Sequence, residues 1–214
     1  MGILNITPDS FYDGRKNISI DQNRKKIEGI KHADIIDVGC ESSRPGAIKI
    51  SSSLEIERLN SFIPLIKDYP DKIFSIDTYK HEVVSHALNN GFSMVNDIMA
   101  GLGSAEIFPL VSDHNSKIVL MHMQGTPETM QLNPKYDSIV DNIISFFEKR
   151  IKIAMKKGVN KKNIILDPGI GFGKTVFDND EIIRNINKIR ALGFKVLMGI
   201  SRKSFLQYND DKPS

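Results

Sequence analysis

Short apolar runs, most of them closing on a polar residue, punctuate this chain at regular intervals. ILN ends at Asn5, DIIDVG spans 34–39, IFSID ends at Asp77, SMVND at Asp97, KIVLMH at His122, NIILD at Asp167 and KVLMGIS at Ser201. Each is rich in Ile, Val, Leu or Met and lacks clean polar alternation, the pattern of strands buried on both faces of a parallel sheet. Between them, apolar residues recur every three or four positions over 53–68, 81–90, 137–157 and 179–192, which predicts helices. Pro64 interrupts the first of these, and Ser52 with Glu55 reads as a capping box at its start. Gly91, Gly158 and Gly193 follow three of the helices and supply left-handed C-caps. Seven strand–helix units in series predict an α/β fold, a (β/α)8 TIM barrel with about seven of its eight βα units, over a single domain spanning 1–214. A doubly wound sheet is the alternative.

In a barrel the active site forms at the C-terminal ends of the strands. Asn5, Asp37, Asp77, Asn96, Asp97, His122, Asp167 and Lys203 are therefore expected at one mouth. Such a pocket, rich in acids and amides, suits a ligand presenting several N–H donors and one carbonyl, because a carboxylate can accept two N–H bonds. The loops 5–17 and 41–52 are long for a compact domain and read as functional lids, with Arg44 an anion clamp in the second.

The stretch LDPGIGFGKT at 166–175 invites a nucleotide reading. A P-loop would need glycine where Pro168 stands, and a dinucleotide fingerprint would need it at Lys174. Both fail, and Gly-Lys-Thr is read as coincidental. The net charge of +3 with no clustered basic run argues against nucleic acid. No apolar run is long enough to span a membrane, no signal peptide is expected, and a single cysteine, Cys40, fits a reducing, cytoplasmic setting. Cys40 is expected to be a small buried filler rather than a nucleophile.

NITPDSFYDG, DVGCESSRPGA, SIDTYKHEV, NDIMAG, VLMHMQGTP, LDPGIGFGKT and GISRKSF resemble, in order, the successive signatures of the dihydropteroate synthase family. The resemblance covers essentially the whole chain. It implies a transferase of folate biosynthesis, a sulfonamide target, that joins 4-aminobenzoate to a dihydropterin methyl diphosphate and releases diphosphate with Mg²⁺. By that resemblance Asp77, Asn96, Asp167 and Lys203 hold the pterin, with Met121 beside it. Asn5 helps bind magnesium and diphosphate. Arg44, with Ser43 beside it, closes over the diphosphate. Phe11, Pro45 and Phe172 line the 4-aminobenzoate ring, and its carboxylate meets the helix start near Ser204. Asp77, Asp167, Lys203 and Arg44 are thus the candidate catalytic residues.

The sequence departs from the family in places. Cys40 stands where glycine is usual, Ser43 where threonine is usual, and Tyr12 replaces a small residue. Nothing after Phe205 matches the family's Arg-x-His element, and the family's homodimer interface uses late helices. The chain is therefore expected to be part of a longer product, to turn over slowly alone and to lack the dimer. The rival readings are a pterin-binding methyltransferase, which shares barrel and pocket, and an inactive ligand-binding fragment. NITPDSF, ESSRPG and SRKSF favour the synthase.

Overall fold

A computed structural model describes residues 1–6, 20–41, 49–126, 129–130 and 134–201. Seven parallel strands follow one another: β1 (Gly2–Asn5), β2 (Ile35–Gly39), β3 (Ile73–Asp77), β4 (Met94–Asp97), β5 (Lys117–Met121), β6 (Ile164–Asp167) and β7 (Lys195–Val196). They form one sheet in the order β1-β2-β3-β4-β5-β6-β7, each strand paired with its neighbours in sequence. A doubly wound sheet reverses direction at a switch point. This order never does, so the barrel reading holds and the alternative falls.

The helices are α1 (Ile20–Gly29), α2 (Ser52–Asn60), α3 (His81–Asn89), α4 (Ile107–Asp113), α5 (Ile139–Lys156), α6 (Val176–Arg184) and α7 (Ile186–Arg190), with 3-10 turns at Ile63–Asp68 and Lys161–Asn163. The segment expected as one helix over 53–68 divides, because Pro64 lacks an N–H and occupies the first turn of the second, 3-10 piece. Its cap also differs from expectation. Ser51, not Ser52, accepts the Leu54 N–H, and Glu55 makes no capping box but turns inward to Lys80. The expected helix over 179–192 begins earlier, at Val176, and breaks at Asn185. The last apolar run pairs only over Lys195–Val196. Gly91, Gly158 and Gly193 all take positive φ after helices, as their C-cap role requires.

Strand residues facing out from the sheet, such as Ile36, Val38, Ile76, Val95 and Leu120, are fully buried under the helices. Phe62, Phe74 and Phe92 pack together there, Phe74 edge-on to both others at 5.7 and 6.1 Å between centroids. Cys40 is buried in the same core, and burial pushes its thiol far above the ordinary range, which fits a filler. Among the described residues no helix is long and apolar enough to cross a membrane.

Candidate active site

Strand register decides which of the expected mouth residues face inward. Partners in a parallel ladder point to the same side, and alternate residues share that side. Asn5 pairs with Gly39, Gly39 with Asp77, and Asp77 with Asn96. Two residues earlier on β2, Asp37 pairs with Ser75. On the far side Met121 pairs with Asp167. Asn5, Asp37, Asp77, Asn96, Met121 and Asp167 thus share the inner face at the C-terminal end of the sheet.

Gly39 lets this ring close up. A β-carbon there would stand 2.9 Å from Asn5 Oδ1 and 3.5 Å from Asp77 Oδ2. Asn96 donates its Nδ2 to Asp37 Oδ2 at 2.8 Å. Asp167 accepts the Gly169 N–H at 2.8 Å, and its own carbonyl accepts the His122 N–H at 2.9 Å. The field in the ring is negative. Burial, then the charge of Asp37, then those of Glu55, Asp97 and Glu41, hold the Asp77 carboxyl well above the usual range. Asp37 is raised to about 6, chiefly by burial, with Asp167 adding repulsion and bonds from Ser75 and Asn96 opposing. Carboxylates so placed gain from any ligand that brings N–H donors or positive charge.

Two residues expected at the mouth are not there. Asp97 and His122 point outward into the helix layer. Asp97 accepts the N–H groups of Met99 at 2.9 Å and Gly101 at 2.5 Å, which holds the turn after β4. Burial raises it to about 6. His122 is 3% exposed and lies edge-on to Phe146, 5.0 Å between centroids. Burial, helped by the Lys174 charge, lowers it to about 3. Their position at strand ends gave the signal; odd or even register decided the side.

The Gly-Lys-Thr of the β6 turn has a structural role. Lys174 is 5% exposed and donates to the carbonyls of His122 at 3.1 Å and Phe172 at 2.9 Å. Gly169, at φ +69°, passes so close to the His122 carbonyl that a β-carbon would overlap it. Thr175 caps α6 in a reciprocal box with Asp178. A lysine dismissed in the sequence therefore ties the β5 and β6 turns together. Its position inside a glycine turn, off any solvated helix face, was the available signal.

Beside the polar ring lies a small apolar cluster separate from the main core. Ile98, Met121, Met123 and Met130 are buried together, with Tyr79, Met99 and Phe172 packed against them. Met121 comes from the end of β5 and the others from the turns after β3, β4, β5 and β6. The Met-rich run MHM marked this wall in the sequence, and Met123 and Ile98 went unnamed.

An acid ring beside a methionine and phenylalanine wall at a barrel mouth suits a flat heterocycle rich in N–H groups. A family model described as pterin-binding enzyme matches residues 1–213. The dihydropteroate synthase of Synechocystis sp. is 41% identical over 217 residues, covering 100% of this chain and 74% of its own length. The chain belongs to this family of pterin-binding synthases. A crystal structure of the Clostridium difficile synthase, solved in the presence of pteroic acid, superposes with a TM-score of 0.88 at 38% identity, over 97% of this chain and 78% of that one. The Yersinia pestis synthase, in a sulfonamide drug complex, gives 0.87 at 33% identity, over 100% and 78%.

Of the positions the family resemblance singles out, Asn5, Asp77, Asn96, Met121, Asp167 and Phe172 stand at the mouth. Phe11, Ser43, Arg44, Pro45, Lys203 and Ser204 lie outside the described residues. Among the described residues no group of three His, Cys, Asp or Glu could hold a metal ion. The Asn5 Oδ1 is a hard oxygen at the exposed rim of the ring, and it fits the magnesium that the family implies. Mg²⁺ commonly takes one or two protein oxygens and completes its shell from water and substrate phosphate.

Proposed function

We propose that this mouth condenses (7,8-dihydropterin-6-yl)methyl diphosphate with 4-aminobenzoate to give 7,8-dihydropteroate and diphosphate. One observation carries the reading: three aspartates and two asparagines share the inner face at the C-terminal ends of the strands, beside a methionine and phenylalanine wall. Identity to synthases favours condensation over methyl transfer.

The pterin edge offers N–H donors, and Asp77 and Asp167 accept them. Met121 and Phe172 contact the flat faces of the rings. In the reaction the methylene–oxygen bond to diphosphate breaks and its electron pair leaves with the diphosphate. The positive charge left on the pterin is spread over its ring, and Asp77 and Asp167 stabilise it electrostatically. The 4-aminobenzoate nitrogen, a neutral nucleophile, then bonds to the methylene carbon and gives up a proton to solvent. No strong base is needed.

Asn5 would hold the magnesium ion, which when bound offsets charge on the leaving diphosphate. From the family resemblance we assign Lys203 to the pterin, Arg44 with Ser43 to the diphosphate, Phe11 and Pro45 to the 4-aminobenzoate ring and Ser204 to its carboxylate. Calorimetry with 6-hydroxymethylpterin tests the core of this reading. Asp167→Ala should abolish measurable binding, and Asp167→Asn, which keeps one acceptor oxygen, should weaken it less. Unchanged affinity in Asp167→Ala would overturn the assignment.

A further inference from the structure

Asp37 lies one layer below the mouth, two residues before Gly39 on the same inner face. It is 2% exposed. Its Oδ2 accepts from Asn96, and the hydroxyl of Ser75, its register partner on β3, faces the same carboxylate. The charges that face it are those of Asp77 on β3, Asp167 on β6 and the chain's amino terminus before β1. A buried carboxylate among like charges is costly, and simple packing would be served better by an apolar side chain.

What Asp37 does is dictate which way Asn96 points. A carboxylate only accepts, so the Asn96 amide must turn its nitrogen down to Asp37. Its oxygen, on the other arm of the amide, is then the atom left for a ligand. Without Asp37 the amide could present either atom.

We propose that Asp37 is a positioning residue for ligand recognition: it locks the Asn96 amide with its oxygen left for the ligand, adding a third acceptor beside Asp77 and Asp167 for the N–H edge of the pterin. This rests on the pterin reading above.

The test compares Asp37→Ala, Asp37→Asn, Asn96→Ala and the Asp37→Ala/Asn96→Ala double variant of the full 214-residue chain, by calorimetry with 6-hydroxymethylpterin. Asp37→Ala should weaken binding roughly 10-fold or more, the scale of one hydrogen bond to a charged or strongly polarised partner. Asp37→Asn still offers Asn96 an acceptor oxygen and should restore affinity to within about 3-fold of the unmodified chain. In the Asn96→Ala background, Asp37→Ala should have no further effect. If Asp37→Asn binds as poorly as Asp37→Ala, charge and not orientation is at work and the proposal fails. A loss that persists in the Asn96→Ala background also sinks it. Should Asp37→Ala not fold, amide exchange in the unmodified protein decides: the Asn96 side-chain N–H must be strongly protected, and exchange at the rate of a surface asparagine overturns the idea. An unmodified chain that binds no pterin overturns the pterin reading and this proposal with it, whereas normal binding insensitive to Asp37 overturns this proposal alone.

Discussion

Gly39 is the residue on which the spacing of the acid ring depends. A methyl group there would meet Asn5 Oδ1 at 2.9 Å, a contact real side chains essentially never make, so Asn5 would have to shift. Gly39→Ala should therefore lower pterin and magnesium diphosphate affinity while costing less than about 1 kcal/mol of stability, below the usual range for core overpacking, because only the tip of the exposed Asn5 side chain must give way. Titration with each ligand and a denaturant melt check both halves; wild-type affinities would show that Asn5 sits elsewhere. His122 is felt through pH instead. Its ring is held neutral down to about 3, against an ordinary value near 6.5. Between those values the unfolded chain binds a proton that the folded chain does not, so this group's contribution to stability is lost as pH falls. Asp37 and Asp97, raised to about 6, work the other way and lose stability as pH rises from about 4 to 6. The His contribution is isolated by difference. Relative to its parent, His122→Phe should gain up to about 1.4 kcal/mol per pH unit on going from pH 6 to pH 4. Parallel stability–pH curves would mean that His122 takes up its proton in the fold as readily as in the unfolded chain.

Lys80 joins three elements. At the start of α3 its ammonium donates to Glu41 after β2 at 2.7 Å, to Glu55 of α2 at 2.9 Å and to the Ile50 carbonyl at 2.7 Å. Glu41 also accepts from Tyr79 at 2.8 Å and from the Ile50 N–H at 2.9 Å. The Glu55 side chain is 1% exposed, so removing Lys80 strands two acids in low dielectric. Lys80→Met should cost about 3–5 kcal/mol, and adding Glu55→Gln should recover part of it. A drop in melting temperature no larger than for a surface lysine would show the clamp to be solvated. None of this was legible beforehand: Glu55 was read as a local cap because sequence spacing sees i to i+3, not a partner 25 residues away. The strands were legible because their apolar residues run continuously, and the five inner strands, β2 to β6, are largely buried. Two helices escaped notice for opposite reasons. In α1 only Asn23 and Ile27 are buried, so there is little periodicity to see, and α4 has seven residues and carries Pro109 in its first turn, where the missing N–H costs nothing. The site was half legible. Strand ends marked the right positions, but register placed Asp97 and His122 behind the sheet, and buried Lys174 was hidden in a motif that imitates another chemistry.

At the scale of the molecule, seven strands leave β1 and β7 as sheet edges among the described residues. The consequence is visible in Ile3. Its register with Asp37 places it on the inner face, where a closed barrel would bury it, yet it is 68% exposed. Beside the other edge a groove of about 780 Å³ is lined by Ile186, Arg190, Phe194, Val196 and Met198. Unpaired edges with apolar neighbours invite pairing with another strand. Ile3 therefore reports on the state of the edge. If β1 is uncovered in solution, Ile3→Ser removes little buried surface and should cost less than about 1 kcal/mol, since full burial of such a side chain is worth roughly 1.5–3 kcal/mol. Ile76→Ala, on the fully buried outer face, should cost about 2–5 kcal/mol in the same melts. The comparison is made at several protein concentrations. A cost for Ile3→Ser that approaches that of Ile76→Ala, and grows with concentration, would mean that a strand from a second copy closes the sheet. A comparable cost independent of concentration would place the covering segment within the same chain.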